Sequence, residues 1–140
     1  MIRLYYDNTQ YRLRESRKAL SLIEKVIRKE NRISGDLNFI ITNDKRLREI
    51  NVEFLNHDYF TDVIAFGYSD GKKIEGEIYL SYETIKDNSI NYKVSLKNEL
   101  LRVMIHGTLH LCGYEDKNED EKSVMREKEN YWLKQITRVG

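Results

Sequence analysis

Two histidines four residues apart are the residues of this chain best placed to do chemistry. They stand in the run His106-Gly-Thr-Leu-His110-Leu-Cys-Gly113-Tyr-Glu-Asp116. On a helix, residues four apart project from the same face one turn from each other, so both imidazoles can reach one ion. Gly113 can take positive φ just past the last turn and reverse the chain, which would return Asp116 toward that ion. The spacing predicts a metal site with three protein ligands.

Three protein ligands leave one position of a tetrahedral zinc site open. The open position holds the water that performs hydrolysis, so this ligand count is typical of a catalytic zinc. We expect one Zn²⁺ per chain, with the metal-bound water as the catalytic group; another divalent ion is compatible with the same ligands. Neighbouring Cys112 is interpreted as a small buried residue rather than a nucleophile or a ligand.

A core histidine satisfied by ordinary hydrogen bonds is the alternative interpretation of the same residues. The helix expected to carry both histidines, from about Leu96 to Leu111, is apolar nearly all round and is predicted to be buried. An unpartnered polar ring there costs about 1–3 kcal/mol in desolvation, so something should compensate each imidazole. A shared cation would compensate both.

The composition predicts one intracellular domain over residues 1–140. The single cysteine excludes an internal disulfide framework and fits the reducing cytoplasm. Met1 to Tyr6 does not resemble a signal peptide, and no run of eighteen apolar residues predicts a membrane span. We therefore expect a soluble, cytoplasmic protein without a membrane partner, most simply a monomer.

Positive charge is concentrated in the first fifty residues, which hold twelve Lys and Arg against seven Asp and Glu. The remaining ninety hold twelve against sixteen. Two interpretations stay open: a surface for a polyanion such as RNA, or the solvated face of an amphipathic helix. The residues concerned are Arg12, Arg14, Arg17, Lys18, Lys25, Arg28, Lys29 and Arg32.

Hydrophobic periodicity predicts four strands and about five helices. Strands are expected at Ile2–Tyr6, Leu37–Ile41, Asp62–Tyr68 and Glu77–Ser81, with Ser34 and Gly35 as a turn and the last two strands as a hairpin turning near Gly71. Helices are expected from about Leu13 to Ile27, from the capping residues Thr42, Asn43 and Asp44 to Phe54, from Leu96 to Leu111 and from about Glu119 to Gln135; Ser81 to Lys93 suits a helix or an ordered loop. This order indicates an α+β domain in which helices pack on a small mixed sheet, with the metal site at the end of a buried helix.

Three ordered blocks of the sequence resemble the YbeY family of bacterial endoribonucleases. They are the run from His106 to Asp116, the segment from Asn51 to Phe66 containing Thr61-Asp62-Val63, and Gly76-Glu77-Ile78. The resemblance implies a metal-dependent, single-strand-specific endoribonuclease that matures ribosomal RNA, notably the 3′ end of the small-subunit RNA, and acts in ribosome quality control. The implied partners are ribosomal RNA, the small ribosomal subunit and ribosome-associated proteins.

The chain departs from the family pattern at two positions. Asp116 stands where the family usually has a third histidine. Carboxylate oxygen is a competent zinc ligand, but its charge makes the ion a weaker Lewis acid. Slower activity or a higher pH optimum is therefore expected. Leu55 stands where members commonly place an arginine that could hold the scissile phosphate. Possible substitutes are Asn56, His57, Lys45 and Arg46, although His57 also suits ordinary turn chemistry.

Three further residues match family positions and are candidates for the substrate groove or for supporting the ligands. Thr61 and Asp62 can alternatively bind backbone amides where a strand begins. Arg102, one turn before His106, can approach phosphate, or can pair with Glu99 or with the acidic closing helix. Nearby aromatic residues could stack on unpaired bases or belong to the core; they are Tyr59, Phe60 and Tyr68.

Two other functions are compatible with parts of the pattern. A metzincin-like metallopeptidase would place its general-base glutamate directly after the first histidine, where this chain has Gly107. Glu77 or Glu115 would have to replace that glutamate. Met125 is better interpreted as a core residue than as the methionine of a Met-turn. A non-catalytic ribosome assembly factor with a structural metal is the second alternative.

Overall fold

The computed structural model describes residues 1–56, 61–68 and 71–139, the side chains up to residue 136. In these ranges four strands and five helices follow one another as β1 Ile2–Tyr6, α1 Ser16–Lys29, β2 Ile33–Thr42, α2 Asp44–Leu55, β3 Val63–Gly67, β4 Lys73–Ser81, α3 Tyr82–Asn91, α4 Leu96–Leu111 and α5 Glu119–Val139. No helix within the described ranges has both the length and the apolar content needed to cross a membrane.

The four strands form one mixed sheet in the order β1-β2-β4-β3. The strands β1, β2 and β4 are parallel, and β3 pairs antiparallel with β4, so that Ala65 lies opposite Ile78. The predicted hairpin and the predicted α+β class are thereby confirmed. Ser69 and Asp70 of its turn lie outside the described residues.

The main core lies between one face of the sheet and the helices α1 and α4. Phe39 and Ile78 from the sheet and Met104 from α4 are fully buried in it. Because side chains alternate along a strand, Ile64 points away from this core and packs with Leu47 and Ile50 of α2. The buried helix α4 is therefore held directly against the sheet.

Glycine at position 107 allows that close approach. A Cβ placed on Gly107 would lie 2.9 Å from Cγ2 of Ile78, closer than real carbon contacts come. The N-terminus of α4 is fixed by Ser95, whose side chain accepts a hydrogen bond from the backbone N–H of Asn98. The helix that carries both histidines is thus fixed at its start and along its length.

Several predicted boundaries were wrong. The strand β4 begins at Lys73 rather than at Glu77, and α5 ends at Val139 rather than near Gln135. The first helix begins at Ser16 rather than near Leu13, because Glu15 is left-handed (φ 56°) and the backbone N–H of Leu13 donates to the Tyr6 hydroxyl instead. Ser34 and Gly35 belong to β2 rather than to a turn; Gly35 lies at an irregularity in the pairing with β4, where a Cβ would collide with the side chain of Glu75.

Candidate metal centre

Three ligand atoms from His106, His110 and Asp116 converge at the C-terminal end of α4. The two Nε2 atoms are 3.0 Å apart, and Oδ2 of Asp116 lies 3.3 Å from Nε2 of His106 and 3.6 Å from that of His110. Tetrahedral ligands at zinc bond lengths of about 2.0–2.2 Å are about 3.3–3.6 Å apart. The two edges to Asp116 have this length and the edge between the two nitrogens, at 3.0 Å, is somewhat shorter, so a small separation of the rings lets the cluster hold one such cation.

The hydrogen-bond partner of the outer nitrogen fixes the tautomer of each neutral ring. Nδ1 of His106 lies 2.7 Å from Oε2 of Glu129, and Nδ1 of His110 lies 2.8 Å from the backbone carbonyl oxygen of Tyr114. A carboxylate and a carbonyl only accept, so each Nδ1 carries the hydrogen and each Nε2 presents a lone pair. Two lone pairs and a carboxylate facing one point repel one another unless a proton or a metal cation lies between them, so the donor set fits a divalent metal.

The turn after α4 brings Asp116 back to the histidines. Gly113 has φ +104°, a conformation that side chains disfavour, and the backbone N–H of Tyr114 donates to Leu109. Arg32, whose sequence position suggests either an RNA surface or the solvated face of the first helix, instead donates from Nη2 to the Cys112 carbonyl oxygen at 3.0 Å. This contact fastens the turn to the start of β2.

Tyr114 is also held through its ring. Its hydroxyl donates to Oε1 of Glu30 at 2.5 Å, and the Lys128 ammonium binds the other Glu30 oxygen at 3.1 Å while lying 4.8 Å from the centre of the Tyr114 ring. The residue whose carbonyl orients His110 is therefore tied to both α1 and α5.

A buried ion pair supports His106. The carboxylate of Glu129, only 5% exposed as a residue, accepts from Nη1 of Arg102 at 2.9 Å as well as from the histidine, and Nη2 of Arg102 donates to Asn130 at 2.8 Å. Arg102 therefore pairs with α5, one of its predicted alternatives. Glu129 could not be predicted as a supporting residue, because nothing in the sequence distinguishes it from the other acidic residues of that helix.

Burial and neighbouring charges shift the pKa values of His106 and Asp62. Burial lowers the pKa of His106, but the hydrogen bond and charge of Glu129, with the charges of Asp116 and Asp62, outweigh burial and raise the pKa overall. Burial also raises the pKa of Asp62, although His106 and the backbone N–H groups of Asp62 and Val63 oppose that effect. Both shifts indicate a site whose charges are partly withdrawn from water.

A cleft of about 260 Å³ lies beside the three ligand atoms, lined by side chains of α3, α4 and α5 and by Asp62 and Asp116. Asp62 and Arg102 therefore line the same cleft as His106, and their roles in the substrate groove or in supporting the ligands stay a prediction. Thr61 does not line the cleft, and its hydroxyl donates to the Val63 carbonyl oxygen at 3.4 Å, rather than binding a backbone amide as its predicted alternative had it.

The proposed substitutes for the family arginine do not line the cleft within the described part of the chain. Arg46 pairs with Glu49, Asn56 ends α2 in a left-handed conformation, and Leu55 is exposed. His57, Tyr59 and Phe60 lie outside the described residues.

The burial and contacts of the remaining candidate residues explain their positions in the fold. Met125 is buried, as predicted, and Cys112 is buried with its pKa raised to about 11 by desolvation, so its thiol is unreactive. Tyr68 is exposed, so the core interpretation is wrong for it; its hydrogen bond to Glu77 raises its pKa to about 12. The Glu77 carboxylate accepts that hydrogen bond, and the Glu115 carboxylate faces Lys117. Neither replaces the general-base glutamate of a metallopeptidase.

A mixed sheet with three side chains able to hold one metal ion beside an open cleft at the end of a buried helix defines a class of small α+β proteins suited to hydrolysis. Comparison with known proteins narrows the class. The family model described as "Endoribonuclease YbeY" matches residues 5–137. The chain belongs to the YbeY endoribonuclease family.

Individual relatives agree along nearly their full length. The chain is 44% identical over 134 residues to an endoribonuclease YbeY of Flavobacterium psychrophilum, covering 96% of this chain and 95% of the relative. It is 43% identical over 133 residues to that of Karelsulcia muelleri, covering 95% and 94%. The solution structure of TM1509 from Thermotoga maritima is similar with a TM-score of 0.66 at 30% identity, covering 97% of this chain and 89% of that one.

Proposed function

We propose that this chain uses a zinc ion held by His106, His110 and Asp116 to cleave single-stranded RNA. Its family makes it an endoribonuclease of ribosomal RNA maturation. Zinc as the ion, the 3′ end of the small-subunit RNA as the site of action, and a role in ribosome quality control are the further parts of the proposal. We also propose that residues 1–140 act as one cytoplasmic domain, as a monomer, close to the small ribosomal subunit and its associated proteins.

The observation that supports the metal-dependent mechanism is the convergence of two ring nitrogens and a carboxylate beside an open cleft. A divalent cation bound there supplies electrostatic stabilisation to the phosphodiester and makes a water molecule more acidic. Phosphoryl transfer depends on charge stabilisation and positioning more than on many reacting side chains, so a sparse set of residues is sufficient.

Residues of the chain itself perform the positioning. Glu129 holds the hydrogen on Nδ1 of His106, and the Tyr114 carbonyl holds that of His110, so both Nε2 lone pairs stay directed at one point. Asp62 lies in the same cleft with a raised pKa, and its carboxyl group is our candidate for taking up or releasing a proton beside the substrate.

The test is cleavage of a single-stranded RNA oligonucleotide by freshly purified protein of known metal content. We expect zinc in the protein, cleavage that stops with a chelator and returns with zinc, and no cleavage by the Asp116→Ala, His110→Ala double variant. Asp120→Ala, which removes an exposed carboxylate of α5, is the matched control and should cleave normally.

Two outcomes would contradict the proposal. Cleavage that persists in the double variant would refute the metal mechanism. Stoichiometric metal without cleavage of any single-stranded RNA tested would favour an assembly factor with a structural ion. A double-stranded RNA of the same sequence, which should be cleaved poorly, tests the strand preference.

A further inference from the structure

Glu99 is a buried carboxylate that the metal site does not use. The residue is 4% exposed, and its side chain lines the cleft that begins at His106 and Asp116. Among the residues that the structure describes, none donates a hydrogen bond to it. The Glu99 oxygens are not fully enclosed and open into the cleft, where a bound ligand can donate a hydrogen bond to them.

The charges around Glu99 indicate what kind of donor suits it. Burial raises its pKa; Arg102 and Arg126 oppose the shift, and Asp62 and Glu129 reinforce it. Arg102 is already engaged by Glu129 and Asn130. Phosphate would be repelled by these carboxylates, whereas a neutral hydroxyl group donates a hydrogen bond without adding negative charge.

The position of Glu99 along α4 places that hydroxyl away from the reacting bond. Glu99 precedes His106 by seven residues, which is about 10 Å along a helix axis. A strand of RNA that reaches the metal site and continues through the cleft therefore brings a neighbouring ribose to Glu99.

An exposed aromatic ring lies on the same cleft. Tyr92, at the C-terminal end of α3, is 65% exposed and lines the cleft together with Asn88 and Arg126. Unpaired bases stack on such rings with little regard to sequence, and an exposed arginine can approach the backbone phosphate outside the acidic part of the cleft.

We propose that the cleft between α3, α4 and α5 is a ribonucleotide subsite in which Glu99 accepts a hydrogen bond from a ribose 2′-hydroxyl while Tyr92 stacks on the base. Glu99 would then help the protein to distinguish RNA from DNA, since only RNA carries that hydroxyl. This inference rests on the proposed function, because it takes single-stranded RNA as the ligand of the cleft.

A structural role for Glu99 is the competing explanation. It lies in the first turn of α4, where a helix dipole favours negative charge. That role predicts a change in stability when Glu99 is replaced, but no dependence on the sugar of the RNA.

The experiment compares one RNA oligonucleotide with a series in which a single residue is replaced by its 2′-deoxy counterpart. The dissociation constant is measured with chelator-treated protein, which leaves the RNA intact, and KM is measured for cleavage by the zinc-loaded protein. The variants are Glu99→Leu, Glu99→Gln and Tyr92→Ala, with Glu127→Leu, an exposed glutamate of α5, as the matched control.

For the unchanged protein, we expect a 2′-deoxy substitution at one position near the cleavage site to weaken binding about tenfold. Glu99→Leu should abolish that penalty, Glu99→Gln should reduce it, and Glu127→Leu should leave it intact. Tyr92→Ala should weaken binding of RNA and of the deoxy series equally.

An unchanged protein that binds the whole deoxy series equally well overturns the inference, as does a tenfold penalty that persists in Glu99→Leu. If the proposed function is wrong, the zinc-loaded protein does not cleave the RNA, whatever the sugar dependence of binding. The two failures are therefore distinguishable.

Discussion

The two histidines of the metal centre are held in different ways. His110 is oriented by the backbone carbonyl of Tyr114, four residues further along the chain, whereas His106 is oriented by the side chain of Glu129, 23 residues away on another helix. The first support is made by the local turn; the second requires α5 to dock on α4 and bury an ion pair with Arg102. A backbone acceptor survives most substitutions, so the two halves of the site should respond differently to mutation.

The largest difference should come from Glu129→Ala. It leaves the imidazole of His106 and the partly exposed Arg102 without their shared acceptor, and losing a hydrogen bond to a charged group costs about 1.5–3 kcal/mol of the free energy of unfolding. Loss of a ligand's supporting carboxylate lowers metal affinity by about 10–100-fold. Chemical denaturation and competition with a zinc chelator measure the two effects.

Glu129→Gln separates the geometry from the charge, because the amide can still accept from His106. It should lower zinc affinity by less than Glu129→Ala does. Wild-type affinity in both variants would show that His106 needs no support from α5.

Gly113→Ala tests the other half of the site. A Cβ at Gly113 meets nothing nearer than 3.9 Å, so the substitution changes only the cost of φ +104°. That cost is about 1–3 kcal/mol in the free energy of unfolding, and relaxation of the turn should move the Tyr114 carbonyl and weaken zinc binding. Full stability with full zinc affinity would mean that the turn does not position His110.

The pH dependence of the metal-free protein should report the His106–Glu129 pair. The folded pKa of His106 is raised above its ordinary value of 6.5, so protonation stabilises the fold: the contribution is complete below that value and is lost as the pH rises through the folded pKa. Denaturant titrations from about pH 6 to pH 8 should show this loss in the unchanged protein and a smaller one in Glu129→Gln. Identical profiles would contradict the pairing.

Tyr114→Phe should have the smallest effect on metal binding. It removes the hydroxyl that bonds Glu30, costing about 1 kcal/mol of stability, but it keeps the carbonyl that orients His110. Zinc affinity should therefore remain near that of the unchanged protein. A loss as large as that of Glu129→Gln would erase the proposed contrast between backbone and side-chain support.

The same contrast explains what could be predicted from the sequence. The convergence of His106, His110 and Asp116 follows from helix periodicity and one glycine, all within eleven residues. Glu129 and the Arg32 contact with Cys112 depend on how distant elements pack, which composition and periodicity do not encode. The order of strands and helices was predictable because it also follows from local hydrophobic periodicity. The start of α1 was not, because it depends on the left-handed backbone of Glu15 and on a hydrogen bond to Tyr6.

Zinc titration of the metal-free protein by calorimetry tests the central claim most directly. We predict one ion per chain, weaker binding in Asp116→Ala and no measurable site in the His106→Ala, His110→Ala double variant. Binding of one zinc ion with unchanged affinity by that double variant would contradict the account.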